Sequence, residues 1–127
     1  MSSPPMKFLE IKGSVDPKQP LIYLWEILNQ DGEVYCHYVG KASKGADRPR
    51  KDYCNNVNKL LQGGYYRKGK PEGFRPIHRH MADAVQLSHT IQLSFLCNVA
   101  AGEDINAKES EYQQQYMQLY GPCKEAL

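Results

Sequence analysis

The sequence predicts a small α/β domain, a three-stranded sheet that contains an antiparallel hairpin and is flanked by about three helices. Three observations predict it. Residues 21–28, LIYLWEIL, form an apolar run of strand length rich in branched and aromatic side chains, and Asp31-Gly32 follows as a hairpin-turn signal. Two later segments and a third near the C-terminus repeat apolar residues at helical spacing. Between the second and third of these lies an alternating stretch, residues 90–99. A hairpin plus one more strand leaves a small sheet whose faces need helical cover. A chain of 127 residues suits one domain with a modest core.

In order, residues 1–20 are rich in Pro, Ser and Lys and read as an N-terminal arm, in which Phe8, Leu9 and Ile11 can form a short edge strand. Residues 21–127 are read as the domain itself. The return strand of the hairpin is residues 33–39, EVYCHYV, and residues 40–46, GKASKGA, are expected to be a flexible loop. Asp47 is expected to cap a helix with Pro49 in its first turn. Tyr53, Val57, Leu60 and Leu61 share its apolar side, and Gly63-Gly64 stop it. After a basic loop at residues 65–73, a second helix opens near residues 74–76 and carries Ile77, Met81, Ala84 and Val85. In the third strand Ile91, Leu93, Phe95 and Cys97 are expected on one face. A turn at residues 102–106 leads to a last helix, residues 107–120, with Tyr112, Tyr116 and Leu119 or Tyr120 on one side. Trp25 and Phe95 are expected in the core.

No apolar run approaches the ~18 residues of a membrane span, and the N-terminus lacks a basic-then-apolar signal pattern. A cytoplasmic location is therefore expected. Cys36, Cys54, Cys97 and Cys123 form no Cys-x-x-Cys pair, which argues against a zinc ribbon, and in a reducing compartment they read as buried or spare thiols. His78 and His80 are two residues apart and do not share a helical face, so a zinc pair is not expected there.

The net charge of +2 conceals a strong asymmetry. Residues 41–79 hold 11 of the 16 Lys and Arg against 3 acids, a balance of +8, and the rest of the chain carries −6. Such a block points to a polyanionic partner. Tyr53, Tyr65, Tyr66 and Phe74 interleave with the bases, as stacking on nucleic acid requires. Lys44, Arg50, Arg67, Lys68, Arg75, His78 and Arg79 are the candidate contacts, with Arg75 and Arg79 on a shared helical face.

A second set of polar residues interrupts the scaffold: Tyr23 on the first strand, Tyr38 on its partner before Gly40-Lys41, Arg48 at the start of the first helix and Glu109 at the start of the last. These residues resemble the GIY-YIG nuclease superfamily. Leu21-Ile22-Tyr23 matches its first half-motif and Tyr38-Val39-Gly40, followed by Lys41-Ala42, its second. Arg48, eight residues after the glycine, and Glu109 with Tyr112 three residues on, fit the later positions. Residues 48–61, Tyr66-Arg67-Lys68 and Phe74-Arg75-Pro76-Ile77-His78 look like phage and bacterial members, and the resemblance spans roughly residues 21–120.

The resemblance implies a metal-dependent endonuclease acting on DNA. It would use one Mg²⁺ or Mn²⁺, in-line attack by water, and leave a 5′-phosphate. Catalytic roles then fall on Tyr23, Tyr38, Lys41, Arg48 and Glu109, with Glu109 as metal ligand and Glu111 as the fallback. The residue types suit the chemistry. Magnesium keeps several waters, so one carboxylate plus substrate phosphate suffices. An arginine fork matches phosphate geometry. Tyr23 or Tyr38 is expected to orient the water or take its proton, and Lys41 to act as base or phosphate contact. Taken without the resemblance, Asn106-Ala-Lys-Glu109 reads as a capping box.

Three positions depart from the family pattern: Leu21 where many members carry glycine, Asp52 where some carry histidine, and no asparagine after Asn106 where many have one. The last supports an alternative, a nucleic-acid-binding module without catalysis. A protein-binding adaptor on the same fold is a third reading. So small a domain has little surface for a long site, which favours low specificity or a homodimer.

Overall fold

The apolar run LIYLWEIL becomes the middle of the sheet. The computed structural model describes residues 4–64, 66–70 and 72–125. Seven elements follow in chain order: β1 (Leu9–Ile11), β2 (Leu21–Leu28), β3 (Val34–Ala42), α1 (Asp47–Leu61), α2 (Pro76–Leu87), β4 (Thr90–Asn98) and α3 (Ile105–Tyr120). The sheet order is β1-β4-β2-β3. Strand β2 pairs antiparallel with both β3 and β4, and seven of its eight residues are buried, which explains why its sequence reads as continuous rather than alternating. The sheet has four strands, not the expected three, because Leu9–Ile11 of the arm pairs in parallel with β4 and makes the sheet mixed.

The hairpin closes through residues 29–33. Asn29 Oδ1 accepts the amides of Asp31 and Glu33, each at 3.0 Å, and Gly32 takes the left-handed φ of 80° that the turn requires. Strand β3 continues to Ala42, past the expected end at residue 39, because Gly40, Lys41 and Ala42 pair with Tyr23, Ile22 and Leu21. The glycine is thus inside the sheet rather than in a loop.

Helix starts also differ from expectation. Ala46, not Asp47, precedes α1, and no side chain caps it; Asp47 contributes only its charge to the first turn. Helix α3 begins at Ile105, two residues early, because Asp104 caps it by accepting the amides of Asn106 (2.9 Å) and Ala107 (3.3 Å). Glu109 is therefore not the closing residue of a capping box.

Two apolar layers result. Leu21, Tyr23, Trp25 and Ile27 of β2, with Ile91 and Leu93 of β4, pack under Tyr53 and Val57 of α1 and Ile77, Met81 and Ala84 of α2. On the other face Ile22, Leu24, Val39 and Val99 lie under Ile105, Tyr112 and Tyr116 of α3. Phe95 belongs to the first layer but Cys97 to the second. A bulge explains the correction: Tyr23 faces Phe95 while the preceding Ile22 faces Cys97, so the intervening Leu96 breaks the alternation.

Cys36 and Cys123 form a disulfide, with Cα atoms 4.2 Å apart, which corrects the reading of all four cysteines as thiols; Cys54 and Cys97 are free. The bridge holds the C-terminal tail along the outer edge of β3, where Lys124 N–H donates to Tyr35 O at 2.8 Å. A covered edge is closed to strand addition. Among the described residues no helix is long and apolar enough to cross a membrane.

Candidate active site

The site is built outward from Gly40. Strand pairing puts Gly40 opposite Tyr23, and a Cβ at Gly40 would sit 2.3 Å from both Cζ and Oη of Tyr23. The tyrosine ring lies across the space that any larger residue would fill. Its hydroxyl shares a 2.7 Å hydrogen bond with that of Tyr53, and both groups are buried. Burial pushes the Tyr23 phenol up to about 12 and raises that of Tyr53 further, so neither ionises near neutrality.

Tyr38 is different. It stands two residues before Gly40 on the same face, half-buried, and Arg75 Nη1 donates to its hydroxyl at 2.8 Å. The Arg75 guanidinium also lies 5.3 Å from the ring centres of both Tyr38 and Tyr53. Its position is fixed locally. Arg75 is the extended residue before Pro76 at the start of α2, and its amide donates to His78 Nδ1 at 3.1 Å. Burial, aided by the Arg75 charge, lowers the His78 imidazole to about 4, so it is neutral. His78 has no exposed surface and rests against Tyr53, Tyr66 and Phe74. It holds the turn rather than a phosphate, which corrects its assignment as a nucleic-acid contact.

An open cleft of about 470 Å³ lies beside these groups. Arg48, Asp52, Tyr53, Asn55, Asn56 and Lys59 of α1 line it together with Tyr66, Arg67 and Arg75. The Arg48 side chain is 66% exposed and only loosely held by Asp52 at 3.9 Å, so it is available to an anion.

Lys41 and Glu109 occupy the opposite side of the sheet. Lys41 Nζ donates to Asn106 Oδ1, and Gln113 Nε2 donates to Val39 O at 3.3 Å. Glu109 shares the sheet-facing side of α3 with Ile105 and Tyr112, is half-buried, and has no hydrogen bond or ion pair among the described residues. The structure thus gathers Tyr23, Tyr38 and Arg48 on the α1–α2 face and leaves Lys41 and Glu109 on the α3 face, across the edge strand. Glu111 is exposed on α3.

The surrounding cations divide in the same plain way. Lys44, Arg67 and Lys68 are exposed, and Arg67 lies 5.1 Å from the Tyr66 ring centre. Arg79, one helical turn after Arg75, reaches out to Glu72 at 3.3 Å, whereas the Arg75 side chain turns inward to Tyr38. Arg50 makes a two-pronged bond to Glu10, each arm 2.7 Å, and covers Phe95. The pair ties β1 to α1 and engages the guanidinium that was read as a phosphate contact. Tyr65 lies outside the described residues. Sequence reasoning missed the pairing of Tyr53 with Tyr23, the grip of Arg75 on Tyr38, and the two cleft asparagines; the Arg-Pro step was the one local signal for Arg75.

No family model, curated protein or solved structure matches this chain. The chemistry rests on the residues themselves. Glu109 has the hard oxygen donors that magnesium prefers and is spared capping duty by Asp104. A lone carboxylate suits an ion that keeps most of its waters and takes its remaining ligand from a phosphate.

Proposed function

We propose that this chain is a GIY-YIG-type, metal-dependent endonuclease that hydrolyses DNA phosphodiesters, working in a cytoplasmic setting. The observation that carries the reading is the Tyr38 hydroxyl, held by Arg75 beside a cleft rich in cations and amides. Arg48, Lys59 and Arg67 would grip the backbone on the cleft side, and Tyr66 would stack on a base. Arg48 and Arg75 would stabilise charge on the nonbridging oxygens. Tyr38 would orient the attacking water. Tyr23, locked to Tyr53 and raised to about 12, positions the strand beneath it and is not the base. The strand to be cut would cross the edge of β3 at Gly40, with Lys41 and Glu109 approaching from the α3 side. Glu109 would hold Mg²⁺ or Mn²⁺, which when bound supplies charge stabilisation for the phosphate and leaving oxygen.

Arg48→Ala should lower turnover far more than affinity. Arg67→Ala or Lys68→Ala should weaken binding and reduce its salt slope, read from filter binding at several salt concentrations. Equal binding losses in all three, with unchanged turnover at saturation, contradict the role given to Arg48. A second reading, a nucleic-acid-binding module without catalysis, is favoured by the placement of Glu109 and the phenols on different faces. Salt-sensitive binding with no nicking in magnesium or manganese selects it.

A further inference from the structure

Cys36 on β3, His80 on α2 and Cys123 in the C-terminal tail come from distant parts of the sequence, yet their ligand atoms all lie within 4.8 Å of one another. Cys36 is buried and the other two are half-buried. His80 has no hydrogen-bond partner among the described residues, so its imidazole is uncommitted. Cys123 Sγ lies 3.3 Å from the His37 amide and 3.4 Å from the His37 carbonyl oxygen, so the backbone of β3 fixes the position of the sulfur. No spacing motif announces this cluster, because each ligand sits on its own element.

We propose that these three residues form a site for a soft or borderline divalent cation of the zinc class, open when the two cysteines are reduced and closed when they are bridged. Two thiolates and an imidazole are a zinc-type donor set, with the fourth tetrahedral position left to water. Gly40 lies four residues from Cys36 along β3, roughly 13 Å at ~3.3 Å per residue, so the site is separate from the candidate active site and stands independently of it. Its ligands also differ from the oxygen donors expected there. Binding forms two metal–sulfur bonds and one metal–nitrogen bond and releases the two thiol protons. Bridging instead passes two electrons and two protons from the thiols to a small-molecule disulfide, which leaves as two thiols. The two states use the same sulfur electrons and exclude one another. Each pins the tail to β3, and the reduced, metal-free chain keeps only hydrogen bonds such as Lys124 N–H to Tyr35 O there.

The test uses the full chain, reduced with a phosphine, stripped with a chelator and titrated with cobalt(II) as the probe. The expected result is one cobalt per chain with a thiolate-to-cobalt charge-transfer band that zinc(II) abolishes. Cys36→Ser and Cys123→Ser should lose the band, His80→Gln should weaken binding more than about tenfold, and a Cys54→Ser/Cys97→Ser double variant should keep it. The bridged protein should bind none. Independently of any variant, zinc should protect Cys36 and Cys123 of the reduced wild type from alkylation while Cys54 and Cys97 react, as located by peptide mass spectrometry. A folded, fully reduced chain with no charge-transfer band overturns the proposal, as does protection that falls equally on all four thiols.

Discussion

The two faces of the sheet are covered in different ways. On one, α1 and α2 bury Tyr53, Val57, Ile77 and Met81 against Trp25 and Leu93, and the aromatic rings and Arg75 form a closely connected set. On the other, a single helix lies over the sheet, and no residue of α3 is fully buried. The polar groups of that second face reach inward instead: Glu26, buried in the middle strand, accepts from Gln92 Nε2 at 3.1 Å and from Tyr120 Oη. The difference separates two tasks. The first face carries the stability and the fixed geometry of the phenol–guanidinium cluster. The second presents polar side chains, among them the uncommitted Glu109, on a thinner support.

The sharpest way to break this contrast is deletion. Trp25→Ala, at a position with no exposed surface, should cost about 3–5 kcal/mol in urea unfolding, whereas Tyr116→Ala on α3 should cost less than half of that. Equal losses would make the two layers equivalent.

Acid should loosen the first face next. His78 is neutral in the fold at about 4 but titrates near 6.5 when unfolded, so the unfolded chain binds more protons between those values. Stability is full above pH ~6.5 and falls by up to about 3 kcal/mol as pH drops toward 4. Unfolding midpoints measured across that window should decline for the wild type and flatten for His78→Gln. A slope unchanged by the substitution would assign the acid sensitivity to other groups.

Gly40→Ala should cost about 1–3 kcal/mol, since its methyl must displace the Tyr23 ring that pairs with Tyr53. Near-wild-type stability in thermal melts would mean that the ring yields freely. The smallest effect is expected from Arg50→Ala, about 1 kcal/mol or less, because both partners of the Glu10 ion pair are about one-third exposed. It should appear as faster amide exchange confined to β1, and no change there would mean that strand pairing alone holds the edge.

The hairpin, the helical segments and the third expected strand were legible because an apolar run, a turn signal and helical spacing are all local. The short edge strand at Leu9–Ile11 was legible too, but its parallel pairing with β4 was not, because three residues carry no register and their anchor, Arg50, lies on another element. The Cys36–Cys123 bridge spans 87 residues and depends on where the tail returns. In the candidate site, Tyr23, Tyr38, Gly40 and Arg48 were picked out by the resemblance of their motifs, not by any local period. Arg75 could be read only as a cation, since its hold on Tyr38 arises from the packing of α2 on the sheet. His78 and Arg50 looked like surface bases because sequence shows charge type but not burial or partner.

The proposal that the Tyr38–Arg75 pair and Glu109 serve one phosphodiester is tested most directly by single-turnover cleavage of end-labelled duplex DNA in magnesium, with protein saturating. The wild type should nick the strand, while Tyr38→Phe and Glu109→Ala should bind comparably and cut more than about 100-fold more slowly. An intact strand under saturating wild type in both magnesium and manganese, or wild-type cleavage by Glu109→Ala, would contradict it.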